Sequence, residues 1–199
     1  MASPLMESPK KSRLRESLLS WRALRRHSVW ILAASATGAV AALFRYLDDW
    51  SVQFSHWLAT VSPWIQPAML FFGMILICQL RDRFFRGTDG TGIPQAIAAL
   101  KIEDGPARDH VLSWRILVGK GLLLAIGLFA GMTIGREGPS VHAGACFMYL
   151  SNRWGNFQGW LVQRGLILAG GAAGIAAAFN TPIAGVVFAV EEIGRSFEK

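Results

Sequence analysis

The feature that most constrains this chain is a charged pentapeptide, Gly135-Arg136-Glu137-Gly138-Pro139, inside a run from Leu122 to Leu150 that holds no other Asp, Glu, Lys or Arg. Hydrophobic Leu122 to Ile134 precede it and Val141 to Leu150 follow, so Arg136 and Glu137 stand where a membrane span would place hydrocarbon. Charges at that depth cost several kcal/mol and mark functional positions by default. Pro139, directly after Gly138, gives the stretch a direction, because proline suits the first turn of a helix, where its missing N–H would have had no partner. The sequence therefore predicts a helix that begins at about Gly138 in mid-membrane. Such a start leaves free backbone N–H groups at the positive end of the helix dipole, which is a dry anion site. Glu137, just ahead of it, is placed to occupy that site itself. The plainer alternative is an Arg136 to Glu137 ion pair or a helix cap with no transport role.

The remainder of the chain supports a membrane reading. A 52% hydrophobic content, a mean hydropathy of +0.35 and 21 glycines in 199 residues point to a polytopic membrane protein. The net charge of +7 is not spread as a nucleic-acid surface would spread it. Lys10, Lys11, Arg13, Arg15, Arg22, Arg25 and Arg26 against Glu7 and Glu16 supply +5 of it within the first 26 residues. A basic tail before a first span reads as a cytoplasmic anchor, so residues 1–28 are taken as a cytoplasmic segment, with an amphipathic surface helix over Leu14 to Arg26. Cys78 and Cys146 lie in apolar runs without metal-site or disulfide spacing and read as small core hydrophobes.

Spans are expected at Val29 to Leu47 and Pro67 to Leu80, joined by an external loop from Asp48 to Ile65 that carries no Lys or Arg; Arg81, Arg83 and Arg86 mark the return inside. Gly92 to Leu100 is too short to cross a core of about 30 Å. It follows the glycine-rich Gly87 to Pro94, whose glycines permit close backbone approach and whose Pro94 again suits a helix start. Lys101 to His110 reads as a charged connection turning at Gly105-Pro106, and Leu112 to Ile134 as the longest span, with Lys120 near its start and able to snorkel. After the pentapeptide, Gly138 to Leu150 is again short for a crossing. Short, Gly/Pro-interrupted segments point to a transporter site built from discontinuous helices. Leu161 to Phe179 carries Gly170 and Gly174 at a spacing for tight helix packing, and Asn180-Thr181-Pro182 separates it from a last helix closing on Glu191 and Glu192. The eight tryptophans fall near expected span ends, as interfacial anchors do, and His142 reads as a packed neutral histidine rather than a proton shuttle.

Gly90-Thr91-Gly92-Ile93-Pro94, Gly135-Arg136-Glu137-Gly138-Pro139 and Phe179-Asn180-Thr181-Pro182-Ile183-Ala184-Gly185 running into Glu191-Glu192, in that order, resemble the ClC family of voltage-gated chloride channels and chloride/proton antiporters. The resemblance covers about residue 29 to the end. It implies an all-α polytopic membrane protein with tilted and discontinuous helices, residues 29–199 forming the N-terminal half of a ClC-type inverted-repeat fold. It implies that Thr91, with the amides of Gly92 and Ile93, helps hold a central anion, that Glu137 is the gate competing with anion at the external site, and that Glu192 passes protons at the inner side. Gly90, Thr91, Gly92, Ile93, Pro94, Gly135, Arg136, Gly138 and Pro139 are thus the expected anion-binding positions, and Glu137 and Glu192 the gating and proton-transfer pair.

The chain departs from the family pattern at Thr91, where serine is usual, and at Gln95, where an acid is common and would have been a candidate partner for Arg136. A second half, with its Gly-x-Phe-x-Pro motif and tyrosine hydroxyl, is expected from outside these residues. The expected ligands are chloride or another small anion and protons, with no further cofactor. The expected partners are a lipid bilayer, the C-terminal half and a homodimer partner, with no nucleic acid. The setting is a multi-pass protein of the cell inner or plasma membrane with a cytoplasmic N-terminus. A proton-coupled antiporter leads, a passive or fluoride-selective anion channel or a non-conducting truncated subunit stands beside it, and no nucleophile, metal cluster or acyl-binding motif supports an enzyme.

Overall fold

The computed structural model describes the backbone of residues 21–155 and 159–197, and the side chains of residues 24, 25, 27–152 and 159–191. Eight helices and no strand make up the described residues: α1 (Trp21–Val61), α2 (Ile65–Arg83), α3 (Ile93–Ala99), α4 (Gly105–Val111), α5 (Trp114–Phe129), α6 (Glu137–Gly155), α7 (Trp160–Phe179) and α8 (Pro182–Phe197). The all-α expectation holds. Most of the expected surface helix Leu14 to Arg26 lies outside the described residues, and so does the side chain of Glu192.

Two expectations about the first spans are corrected. No external loop separates Leu47 from Ile65, because α1 runs unbroken for 41 residues. Between Ala39 and Ser62 there is no glycine or proline, so nothing stops the helix before Pro63. At 1.5 Å per residue α1 is about 60 Å long and must tilt or project beyond a hydrocarbon core of about 30 Å. Secondly, α2 buries none of its side chains, and Cys78 on it is exposed rather than in a core. Its Phe71, Phe72 and Met74 face outward, as a lipid-facing helix would have them.

The span expected over Leu112 to Ile134 is shortened, and the connection expected before it is partly helical. Gly105-Pro106 opens the short helix α4 instead of a turn, with the proline in its first turn. Ser113 then caps α5, its hydroxyl accepting from the Ile116 N–H at 3.3 Å. At the far end Gly131, at φ 90°, closes α5: its N–H reaches the Leu128 carbonyl and that of Met132 the Gly127 carbonyl. Residues 130–136 are therefore not helical, and the helix is 16 residues rather than a span to Ile134.

The fold is built around α6. It is 19 residues long, about 28 Å, not the thirteen or so that its apolar run suggested. Polar Asn152 and Arg153 end the apolar run without ending the helix. Every residue from Gly138 to Cys146 is buried, against α1, α3, α5 and α7. Four other segments are long and apolar enough to cross a membrane: residues 27–61, 65–83, 105–129 and 160–179. Three of them, 27–61, 105–129 and 160–179, pack against α6, which is itself protein-buried.

Between helices in lipid, close packing of small residues replaces the hydrophobic drive available in water. The α6–α7 crossing depends on that. A Cβ on Gly170 would stand 2.6 Å from the Gly144 carbonyl carbon, and one on Gly174 would stand 2.7 Å from Val141 Cα. The small-residue spacing read from the sequence therefore does pack a helix. Gly170 and Gly174 are buried, and so are Gly92 and Gly138 at the two helix starts.

Candidate functional site

Two helix starts, at Ile93 and Glu137 and so 44 residues apart in sequence, meet in the interior. Gly92 is the N-cap of α3 at φ 113°, with Pro94 in the first turn. A Cβ there would lie 2.7 Å from the Gly138 carbonyl oxygen and 2.8 Å from His142 Cβ, while a Cβ on Gly138 would lie 2.8 Å from Thr91 Cβ. Glycine at both positions is what lets Gly90-Thr91-Gly92 and Gly135 to Pro139 touch backbone to backbone. Neither the N–H groups of Thr91, Gly92 and Ile93 nor those from Thr133 to Gly138 reach an acceptor among the described residues. Unpaired amides at two adjoining helix starts can receive an anion.

The helix start is one residue earlier than expected, at Glu137 itself, with the Ser140 N–H on the Arg136 carbonyl at 3.1 Å and the Ser140 hydroxyl on the same oxygen at 2.8 Å. Glu137 is half-buried and folds back toward Gly135, whose added Cβ would be 2.6 Å from Glu137 Oε2. Its carboxylate makes no hydrogen bond or ion pair among the described residues. Arg136 does not pair with it. Its Nη1 lies 3.4 Å from Asp48 Oδ2 on α1, in a partly exposed ion pair. Sequence reading missed this partner because it placed Asp48 in an external loop.

A second residue it missed is Lys120. Expected to snorkel, it is buried at 6% exposure on α5, and its Nζ donates to the carbonyls of Gly90 at 2.8 Å, Thr88 at 3.0 Å and Asp89 at 3.4 Å. An ammonium has three protons to give, and here the loop ahead of α3 receives them. The signal was available: an ionisable residue inside a span is a functional suspect by default. Gln95 holds the same loop from the other side, its Nε2 donating to the carbonyls of Asp89 at 2.5 Å and Gly87 at 3.1 Å. Carbonyls need a donor, which an amide supplies and a carboxylate lacks, so Gln95 suits this loop where the family often has an acid.

His142 is fully buried, with Nε2 3.2 Å from the Val111 carbonyl and Nδ1 3.6 Å from Cys146 Sγ. Because a carbonyl only accepts, Nε2 carries the proton. It is the packed histidine that the sequence suggested.

The third motif is not at the Gly92–Gly138 contact. Asn180, left-handed at φ 54°, ends α7, with the Thr181 N–H on the Ala176 carbonyl at 3.0 Å. α8 then folds back on α7, where a Cβ on Gly185 would stand 3.1 Å from Ala176 Cβ. Since α6 and α7 cross antiparallel, with Gly170 against Gly144 and Gly174 against Val141, Asn180, six residues further along α7, extends past the first turn of α6. Among the described residues no group of three or more His, Cys, Asp or Glu is placed to hold a metal ion.

All-helical among the described residues, with four segments long and apolar enough to span a membrane and two helix starts meeting between them, the chain has the architecture of a polytopic membrane protein with discontinuous helices. More specifically, the chain belongs to the voltage gated chloride channel family, whose profile matches residues 73–199. It is 35% identical over 143 residues to the H(+)/Cl(-) exchange transporter ClcA of Vibrio cholerae, covering 71% of this chain and 28% of that protein. It is 35% identical over 143 residues to chloride channel protein CLC-d of Arabidopsis thaliana, covering 65% and 17%. With the probable chloride channel protein UM03490-D of Mycosarcoma maydis it shares 32% identity over 169 residues, 83% of this chain and 14% of the relative. The chain thus spans under a third of the length of these relatives. No solved structure matches it significantly.

Proposed function

We propose that this chain supplies one half of the anion pathway of a proton-coupled chloride transporter. The observation that carries the reading is the meeting of Gly92 and Gly138, which gathers the unpaired amides of two helix starts beside an unpaired Glu137. Thr91 and the amides of Gly92 and Ile93 hold the central anion. The carboxylate of Glu137 competes with anion for the amides from Gly135 onward, and protonation removes it as a competitor. Glu192 hands protons inward to outward. Relatives named for H(+)/Cl(-) exchange and for chloride channels both support chloride as the ion, and the second carboxylate favours exchange over passive conduction. The rest of the pathway comes from a second half, in a protein that dimerises with itself. The basic N-terminal segment keeps that end cytoplasmic.

The test uses a full-length relative carrying residues 29–199 in place of its own first half, reconstituted in liposomes. Glu137→Gln is expected to keep anion flux and remove its pH dependence between about pH 4 and 8, since an amide neither titrates nor competes as an anion. Glu192→Ala is expected to keep chloride flux and abolish uphill proton movement. Retained pH dependence in the first variant overturns the gate. Retained proton pumping in the second overturns the inner relay and leaves Glu191 or water to carry the proton.

A further inference from the structure

Away from the anion site, a cavity of about 280 Å³ lies between α1, α5 and α6. Its walls are Val29, Leu32 and Ala36 from α1, Trp114 from α5, and Phe147 and Leu150 from α6. Trp114 and Phe147 meet edge to face at 5.5 Å. The one hydroxyl at its edge, that of Ser151, already donates to the Met148 carbonyl at 2.6 Å. A buried water needs two to four polar partners, and these walls do not offer them. Its rim is apolar as well: Leu32 and Trp114 are 65% and 51% exposed, on segments long and apolar enough to span a membrane. Its natural occupant is hydrocarbon.

Charge selects which hydrocarbon. Arg25 precedes Val29 by four residues and Leu32 by seven, so one stripe of α1 runs from a guanidinium into the apolar walls. The same end of α1 continues a segment carrying +5 within 26 residues. Trp114, an amphipathic ring at the other wall, suits the headgroup level. We propose that the slot between α1, α5 and α6 holds one acyl chain of an anionic phospholipid, with the lipid phosphate at its Arg25 end. This site is independent of the transport reading above.

The chain purified in mild detergent is titrated with phosphatidylglycerol and with phosphatidylcholine of the same acyl length, and retained lipid is counted by native mass spectrometry. The expected preference for phosphatidylglycerol is about fivefold, the value of one basic residue at an anionic surface. Arg25→Gln is expected to bring the two lipids level while still retaining both. Ala36→Phe, which fills the slot, is expected to lose both, with helical content checked by circular dichroism. Should that variant not fold, quenching of Trp114 emission by a brominated acyl chain, taken as the difference between the wild type and Trp114→Phe, decides the acyl position. Equal retention of the two lipids by the wild type, undiminished retention by a folded Ala36→Phe, or no Trp114 quenching overturns the proposal. Loss of the phosphatidylglycerol preference in inorganic phosphate, with acyl retention elsewhere, reduces the site to a phosphate contact and overturns it equally. A rise in bound lipid on deleting residues 1–20 gives the slot to that segment instead.

Discussion

Gly92 and Gly138 lie backbone against backbone, so that a Cβ on Gly92 would come within 2.7 Å of the Gly138 carbonyl oxygen. The neighbour is main chain and cannot swing away, and φ 113° at Gly92 adds a conformation that L side chains rarely adopt. Gly92→Ala is therefore expected to destabilise the chain by ~3 kcal/mol, from strain and overpacking together. Gly90, at φ 77°, has open space where its Cβ would go, and Gly90→Ala is expected to cost only the conformational part, ~1 kcal/mol. Denaturant unfolding of the purified chain compares the two. Equal losses would mean that the close approach of the two helix starts contributes nothing.

Lys120 sends three protons to three consecutive carbonyls of the loop before α3. Lys120→Met keeps the length of the side chain and removes the donors, leaving the carbonyl of buried Thr88 without its partner and the Gly90 carbonyl to water, while Gln95 still serves Asp89. The expected loss is ~2 kcal/mol, in the range of hydrogen bonds from a charged group. The specific readout is hydrogen exchange: the Thr88 amide, bonded to the Phe85 carbonyl, should exchange faster while the amides of α7 do not change. Uniform acceleration along the chain would show a general loss of stability rather than release of this loop.

Much of this architecture was legible because its signals are local. Pro94 and Pro139 mark helix starts whatever surrounds them, Gly170 and Gly174 announce a close crossing, and the two charges at Arg136 and Glu137 single out the site. What was not legible depended on partners far away in sequence. Lys120 and the Thr88 carbonyl are 32 residues apart, and Arg136 and Asp48 are 88 apart. Hydropathy also misjudged lengths, in opposite directions. It divided α1 at Asp48 because charges interrupt an apolar run without interrupting a helix, and it shortened α6 at Leu150 for the same reason. It overextended α5 past Phe129, since Gly131 and its neighbours are apolar enough to look like span while forming the cap that ends one.

Arg136 and Asp48 tie the loop before α6 to the middle of α1. With a separation of 3.4 Å and side chains 25% and 39% exposed, the pair is screened by solvent and its coupling is expected to be no more than ~1 kcal/mol. A double-mutant cycle of Asp48→Asn and Arg136→Gln measures it, and added salt should shrink it. Coupling above ~3 kcal/mol would mark a pair far better buried than this geometry gives. No coupling at low salt would show that Asp48 does not position Arg136.

Gly165 and Gly170 sit on one helix, one turn and a half apart, and their surroundings differ completely. Gly165 has nothing within 4 Å of its missing Cβ, whereas a Cβ on Gly170 would stand 2.9 Å from the Ala145 nitrogen and closer to the Gly144 carbonyl. In a helix alanine holds the backbone better than glycine, so Gly165→Ala should stabilise by ~0.5 to 1 kcal/mol. At Gly170 the same change meets the main chain of α6, which would have to move away from α7 over the very turns that follow the candidate anion site. The expected cost is ~1 to 3 kcal/mol. Because Gly144 and Gly170 approach each other, separating the helices once relieves both clashes, and Gly144→Ala combined with Gly170→Ala should cost less than the two single losses together. Denaturant unfolding of the four variants checks this; additive losses would mean that the two glycines clear different neighbours and that α6 and α7 do not move as rigid bodies.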